Sequence, residues 1–250
     1  MVKHEDTSVI DELTDDLRAR IERGEYGTSG TIPTTDLLAT QWKKPRSMVT
    51  QVMSILQAEG KIRLVGKRYI VAYPHLVFPG LVKDFGKYLE EQGFIALMEN
   101  LIEPREEQMP IDIATLFHQE AGVHVVHRIR RQGMRKEGIP DYPLRIAENW
   151  YPSHLALPFL AEMRTNDYIH VVEAIREKFG VVITQHEERI SGRIPTKQER
   201  EWLSISRYQP VLELIWNNFD KDNQPVMFNR IVMVASNFAI DRKYPVNFWG

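Results

Sequence analysis

"IPTTDLLATQWKKPRSMVTQVMSILQAEGKIRLVGKRYIV", residues 32–71, decides the fold of the first part of the chain. Two helical patterns follow each other closely in this stretch. The first, "TTDLLATQW", opens with two candidate N-cap residues, Thr34 and Thr35. The second, "PRSMVTQVMSILQAEG", begins with a proline suited to a first helical turn and ends at Gly60. Two short helices joined by a tight turn are typical of a helix-turn-helix.

The sequence on either side completes this pattern. After Gly60, "KIRLVGKRYIVAY" predicts two short strands joined by a turn at Gly66 and Lys67. Before it, apolar residues at helical spacing predict a first helix that ends near Gly24. These apolar residues are Ile10, Leu13, Leu17 and Ile21. Three helices followed by a hairpin predict a winged helix-turn-helix, which we expect over residues 1–74.

Positive charge is concentrated in the same segment. The whole chain has a formal net charge of -2, but residues 43–73 contain seven basic residues and a single acidic one, Glu59. The basic residues are Lys43, Lys44, Arg46, Lys61, Arg63, Lys67 and Arg68. A basic patch on a mildly acidic protein indicates an anionic partner, and nucleic acid is the leading candidate. A solvated basic surface with no partner is the alternative that charge alone leaves open.

The geometry of a helix-turn-helix assigns roles within this patch, because its second helix presents its N-terminal residues to the major groove. Arg46, Ser47, Thr50 and Gln51 are therefore expected to face double-stranded DNA. The Arg46 guanidinium suits either a guanine or a phosphate, and the sequence leaves both roles open. The predicted DNA-binding residues are Thr34, Thr35, Lys43, Lys44, Arg46, Ser47, Thr50, Gln51, Gly66, Lys67 and Arg68.

Beyond the winged part, the sequence predicts a second domain of mixed structure. Residues 75–92 combine proline, glycine and unpatterned apolar residues, and we interpret them as a linker. Over residues 93–250, strand-like stretches such as "FIALMENLI" and "VHVVHRIRRQG" alternate with helical ones such as "DYIHVVEAIREKFG" and "TKQEREWLSI". The turn sequence "DKDNQP" separates two further strands. The expected fold class is α+β, with a mostly antiparallel sheet in the second domain.

Composition limits the class of protein. The 250 residues are 43% apolar and 26% charged, enough to bury a core in one large or two smaller domains. The chain has no cysteine, which excludes disulfides and thiolate metal sites, and we expect a cytoplasmic location. Its start lacks the apolar run of a secretory signal, and 18 consecutive apolar residues occur nowhere. We therefore expect a soluble protein with no membrane partner, no cofactor and no metal ion.

The motifs together resemble a known family of regulators. The order "LRARIERGEY", "IPTTDLLA", "PRSMVTQVMSILQAEGKIR" and "GKRYIV" is similar to the N-terminal domain of GntR-family transcription regulators. The later stretches "RIRRQG", "IPDYPLRIAENWYP", "HVVEAIREKFG" and "VLELIWNNFDKDNQPV" resemble the UTRA effector domain of the HutC subfamily, which has a chorismate-lyase-like fold. Asp36, Pro45 and Met48 depart from the residues that the family often has there. The resemblance implies a DNA-binding repressor whose second domain binds a small-molecule effector and supplies the contact of a homodimer.

An arginine pair is the strongest candidate for effector binding. Strand alternation in "HVVHRIRRQG" places Arg128 and Arg130 on one face and His127, Ile129 and Arg131 on the other. Two guanidinium groups on one face suit a carboxylate or a phosphate, whereas two solvated arginines on an exposed strand are the alternative. The resemblance implies that Arg128 and Arg130 belong to the effector pocket.

The resemblance implies further effector-binding residues: Glu148, Asn149, Tyr151, His170, Met227 and Met233. Glu148 or a bound anion would supply the negative charge that a buried arginine pair needs. Met227 and Met233 stand where amino-sugar-responsive members have polar residues, which argues against a sugar phosphate as the effector. Trp150 and Trp216 are interpreted as core residues.

Three hypotheses follow from the sequence. The first is a homodimeric transcription regulator whose affinity for an operator changes when a small anionic metabolite binds. The second is a chorismate-lyase-like enzyme that acts on a small carboxylate, although the sequence offers no paired nucleophile and base, no HExxH spacing and no glycine-rich phosphate loop. The third is RNA binding by the winged domain, which lacks the exposed aromatic residues that single-stranded recognition favours.

Overall fold

The structure is a computed structural model of the 250-residue chain, and it describes residues 4–26, 30–72, 76–77, 84–136 and 139–241. Of the predicted linker, residues 75 and 78–83 lie outside the described residues. Within the described ranges, no helix is both long and apolar enough to cross a membrane.

The first part has the predicted three helices and hairpin. Its elements are α1 (His4–Glu22), α2 (Thr35–Trp42), α3 (Arg46–Ala58), β1 (Ile62–Val65) and β2 (Arg68–Val71). The Thr34 side chain caps α2 by accepting a hydrogen bond from the Leu37 amide at 3.3 Å. Gly60, with φ +70°, ends α3, and Gly66, with φ +61°, forms the hairpin turn. The helix α1 begins at His4, before the first residue of its apolar pattern, Ile10.

Apolar side chains at helical spacing form the core of this winged part. The fully buried ones include Leu17, Leu38, Val49, Val52 and Leu56. Their alternation with polar positions in α3 leaves the opposite side of that helix exposed. The N-terminal turns of α3 therefore remain accessible to a partner.

The second part is built on one antiparallel sheet of six strands in the order β4-β5-β6-β9-β8-β7. The strands are β4 (Ile95–Gln108), β5 (His124–Lys136), β6 (Ile139–Pro152), β7 (Gln185–Arg193), β8 (Val211–Phe219) and β9 (Pro225–Val234). The helices are α4 (Phe85–Glu91), α5 (Ile111–Leu116), α6 (Ser153–Ala156), α7 (Leu160–Thr165), α8 (Val171–Phe179) and α9 (Lys197–Leu203). The expected α+β class with a mostly antiparallel sheet is confirmed.

Two elements differ from the sequence-based expectation. The stretch "DYIHVVEAIREKFG" is only partly helical, because α8 begins after His170 and covers nine residues. The expected linker contains an ordered strand and a helix. Its Leu76–Val77, β3, pairs in parallel with Phe238–Ala239, β10. Its α4 buries Phe85 and Leu89 in the core of the sheet, a contact that only the tertiary fold supplies.

The winged part packs against the second part of the same chain. Arg63 in β1 is fully buried, and its guanidinium lies 4.2 Å from the centroid of the Tyr142 ring while donating to the Leu203 carbonyl. Gly60 abuts Ser236 so closely that a Cβ at position 60 would collide with it. Val65 and Ile70 belong to the same apolar cluster as residues of the sheet. The hairpin therefore joins the two parts as well as forming the wing.

Candidate functional site

The N-terminal turns of α3 present the polar surface that the sequence predicted. Arg46, Ser47, Thr50 and Gln51 are exposed, whereas Val49 between them is buried. The Thr50 hydroxyl donates to the Arg46 carbonyl at 2.9 Å, so this side chain is partly engaged within its own helix. The remaining polar atoms on this surface point away from the core, as contact with a DNA groove requires.

Arg46 is restrained by an acidic neighbour. Its Nε lies 3.1 Å from Asp36 Oδ1 in α2, and both side chains are about 70% exposed. The carboxylate neutralises the arginine in the absence of DNA. A nucleic acid that contacts Arg46 has to compete with this exposed ion pair.

Fewer residues of the basic patch are available to a partner than the sequence predicted. Lys61 pairs with Glu22 at 3.0 Å, and Arg63 is buried against the second part of the chain. The basic residues that remain near α3 and the hairpin turn are Lys43, Lys44, Lys67 and Arg68. Within the described ranges, none of these four forms an ion pair with a carboxylate. Their charge is therefore available to phosphates.

A cavity of about 480 Å³ lies against one face of the sheet in the second part. Side chains from four strands form its floor: Arg130, Gln132, Arg145, Ala147, Asn149, Tyr151, Trp216, Met227, Asn229 and Ile231. The start of α4, the first half of α8 and residues 181–186 form its walls. This volume suits a metabolite-sized ligand.

Five of the predicted effector residues line this cavity: Arg130, Asn149, Tyr151, His170 and Met227. Three others, Arg128, Glu148 and Met233, do not. Trp216, expected in the core, is buried and also forms part of the cavity floor. Trp150 is buried against Phe117 and Phe228.

Arg128 does not line the cavity; its side chain contacts the loop before α8, the helix that forms part of the cavity wall. Its Nε donates to Asn100 Oδ1 at 2.8 Å, and its terminal nitrogens donate to the carbonyls of Asn166, Asp167 and Ile169 at 3.0–3.2 Å. Burial lowers the pKa of the Arg128 guanidinium to about 9, and the charge of Arg130 adds to this effect, so Arg128 stays protonated at pH 7. Arg128 therefore fixes the loop that leads into α8.

Glu148 and Met233 have other partners. Strand alternation turns Glu148 to the opposite face of the sheet, where it accepts from Arg230 and lies 2.9 Å from His127 Nε2. It is therefore not the counter-charge of the arginine pair. The other ring nitrogen of His127 lies 2.7 Å from Glu107. Met233 is fully buried in the apolar core of the sheet.

Arg145 is a charged residue of the cavity floor that was not predicted from the sequence. Its guanidinium lies 3.7 Å from the centroid of the Phe85 ring, and its Nε donates to Gln132 Oε1 at 2.7 Å. Burial, reinforced by the charge of Arg130, lowers the pKa of Arg145 to about 9. Alternation counted back from Tyr151 and Asn149 would have placed position 145 on the same face.

His170 stands at the wall of the cavity, immediately before α8. Its Nε2 lies 3.9 Å from Asp84 Oδ2. Burial lowers the pKa of His170; Asp84 opposes this shift and Arg130 reinforces it. The imidazole is therefore neutral at pH 7 and adds no charge to the arginines of the cavity.

Comparisons with known proteins agree with this architecture. The chain is 23% identical over 224 residues to the mannosyl-D-glycerate transport/metabolism system repressor MngR of Escherichia coli, covering 88% of each chain. It is 24% identical over 227 residues to a probable fructoselysine utilization operon transcriptional repressor of the same organism, again covering 88% of each.

Among solved structures, PhnF from Mycobacterium smegmatis has the same fold with a TM-score of 0.61, at 18% identity. The similarity covers 92% of this chain and 99% of PhnF, so both parts of the molecule are included. The sequence profile of the UTRA domain matches residues 82–239, which contain α4, the six-stranded sheet and the cavity. The chain therefore belongs to the UTRA domain family.

Proposed function

We propose that the protein is a ligand-responsive DNA-binding transcription regulator that acts as a repressor. The observation that carries this proposal is the presence, in one chain, of an exposed basic helix-turn-helix surface and a cavity floored by buried arginines. Its curated relatives are transcriptional repressors, and no comparison favours the chorismate-lyase-like enzyme. The regulator hypothesis accounts for both parts of the chain, whereas the enzyme hypothesis accounts for the cavity alone.

The DNA contact in this proposal is the surface of α3 and the hairpin. In this proposal Arg46 and Gln51, exposed at the start of α3, enter the major groove, and Lys67 and Arg68 at the wing contact phosphates. The proposed operator is a pair of symmetric half-sites, because a homodimer presents two identical reading helices about one DNA turn apart.

In this proposal, effector binding and DNA binding are thermodynamically linked, so each changes the affinity for the other. A ligand that binds one arrangement of the dimer better than another shifts the population between DNA-competent and DNA-incompetent arrangements, by about 1–3 kcal/mol in typical cases. The effector is a small anion in this proposal, because Arg130 and Arg145 line the cavity. We propose a cytoplasmic location for this repressor.

The test is a DNA-binding titration with the full chain. Duplex fragments from upstream of the gene are titrated by fluorescence anisotropy at several salt concentrations, and log affinity is expected to fall by about 0.9 per phosphate contacted for each unit of log salt. Lys67→Gln combined with Arg68→Gln should weaken binding, whereas Lys197→Gln, a change at an exposed lysine of α9, should not. A protein that binds no fragment in a salt-dependent manner, or whose Lys197 variant loses as much affinity, would refute the DNA-binding role.

A further inference from the structure

Two guanidinium groups converge on the floor of the cavity from neighbouring strands. Arg130 in β5 pairs across the strands with Ala147 in β6, and Arg145 lies two residues from Ala147 on the same face. Both arginines are 8% exposed and both line the cavity. The small side chain of Ala147 leaves the space next to them open.

Polar atoms at this floor lack partners. Among the described residues, none forms a hydrogen bond with Arg130 Nε, and none forms one with Oδ1 of the buried Asn149. An unpaired buried donor or acceptor is unfavourable, so a ligand that satisfies both is stabilised by them. Arg130 requires an acceptor from such a ligand, and Asn149 requires a donor.

Negative charge from the protein does not balance the two arginines. Among the described residues that line the cavity, the carboxylates are Asp84 and Glu173. Glu173 is paired with Arg176 at the rim, so Asp84, whose charge acts on Arg145, is the one carboxylate among these lining residues that is left for two arginines. The floor therefore carries excess positive charge, which an anionic group would neutralise.

We infer that Arg130 and Arg145, rather than Arg128 and Arg130, bind the acidic group of the effector. The effector class is a small organic anion, a carboxylate or a phosphate, with a hydroxyl or amino group that donates to Asn149. This inference rests on the proposed function in taking the cavity as the effector site. Contacts of Arg145 with Phe85 and Gln132 fix the direction of its guanidinium, as bidentate binding of an oxyanion requires.

The apolar residues that line the cavity limit the polarity of the part of the ligand that lies beyond its acidic group. Trp216, Met227 and Ile231 cover the floor beyond Asn149, and valines of residues 181–182 cover the wall. A ligand with one charged end and a short, partly apolar body fits this division better than one charged at every position.

The experiment measures thermal stability of the full chain with probes of defined charge. The probes are inorganic phosphate, gluconate, glucitol 6-phosphate and the neutral polyol glucitol, each at ionic strength matched with chloride. The anions are expected to raise the melting temperature, and glucitol is not, because binding to the native state stabilises it. Comparison of gluconate with glucitol 6-phosphate tells whether the carboxylate or the phosphate is preferred.

Variants identify the residues. Arg145→Gln and Arg130→Gln should each weaken binding of the best anion in calorimetry by on the order of tenfold or more, since each removes charged hydrogen bonds. Arg145→Lys keeps the positive charge but loses the planar pair of donors that binds an oxyanion through two hydrogen bonds, so it should give an intermediate affinity. Arg189→Gln, at an exposed arginine of β7 away from the cavity, is the matched control and should bind as the wild type does.

Two results would overturn the inference. One is a wild-type protein that phosphate and the organic anions stabilise no more than chloride does. The other is an Arg145→Gln variant that keeps wild-type affinity for the anion. Neither result affects salt-dependent DNA binding, so failure of this inference is distinguishable from failure of the regulator hypothesis.

Discussion

Replacement of Arg128 by methionine tests whether this residue supports the fold or binds the effector. The side chain is 1% exposed, and methionine fills similar space without any hydrogen-bond donor. The change removes the donors for Asn100 Oδ1 and for three backbone carbonyls of residues 166–169. We expect a loosened loop before α8.

The magnitude follows from two opposing effects. Two of the four acceptors keep another donor, because the Ile169 amide donates to the Asn166 carbonyl and Arg130 donates to the Asp167 carbonyl. Each buried acceptor left without a donor costs about 1–3 kcal/mol, so the other two, Asn100 Oδ1 and the Ile169 carbonyl, cost roughly 4 kcal/mol. Removing the buried charge recovers the desolvation penalty reflected in the lowered pKa of Arg128, about 9, which corresponds to roughly 5 kcal/mol at about 1.36 kcal/mol per unit. The two effects nearly cancel, so the free energy of unfolding is expected to change by no more than about 1–2 kcal/mol, and the clear effect is local, in the loop before α8.

The assay is urea unfolding followed by tryptophan fluorescence, with hydrogen exchange at residues 166–170 as a local measurement. Arg189→Met, the exposed control in β7, should change stability by less than about 0.5 kcal/mol. If the loop of the Arg128→Met variant keeps its wild-type exchange protection, then the supporting role assigned to Arg128 is wrong.

Other predictions concern both ends of the chain. Asp36→Asn should tighten DNA binding roughly twofold at low salt in anisotropy titrations, because an exposed ion pair worth about 0.5 kcal/mol no longer competes for Arg46; unchanged affinity contradicts this. Lys67→Gln should reduce the slope of log affinity against log salt by about 0.9 if this lysine contacts one phosphate. The lowered pKa of His170 means that its charge appears only below its ordinary range near 6.5, so anion binding measured by calorimetry should strengthen as pH falls below that value and His170→Gln should flatten the profile. Gly60→Ala should cost more than about 1 kcal/mol in urea unfolding, because φ is +70° and the added Cβ collides with the second part; Gly66→Ala, whose added Cβ meets no atom, should cost less.

The winged part was predictable because its signals are local. A threonine cap at Thr34, a glycine with positive φ at Gly60 and a glycine turn at Gly66 act within a few residues of themselves. The burial of Arg63 was not predictable, because nothing near it in the sequence indicates that Tyr142 lies over its side chain. Arg63 was therefore included in the basic patch of residues 43–73.

The cavity was predictable in part. Alternation correctly placed Arg128 and Arg130 on one face, but it could not tell that Arg128 is held by the loop after α7 whereas Arg130, which also donates to the Asp167 carbonyl, lines the cavity. These contacts depend on carbonyls about 40 residues farther along the chain, such as that of Asp167. The helix α4 was missed for a similar reason, since Phe85 acquires its buried contacts only when the sheet is assembled.

The burial of β1 against the second part restricts how this chain can be recombined with other regulators. A chimeric sensor that exchanges the whole winged part would leave Tyr142 and the Leu203 carbonyl without Arg63 and would place a foreign side chain against Ser236. The segment that can be exchanged is therefore residues 4–58, with the native hairpin retained. A new winged surface can then be grafted while the packing between the hairpin and the second part stays intact.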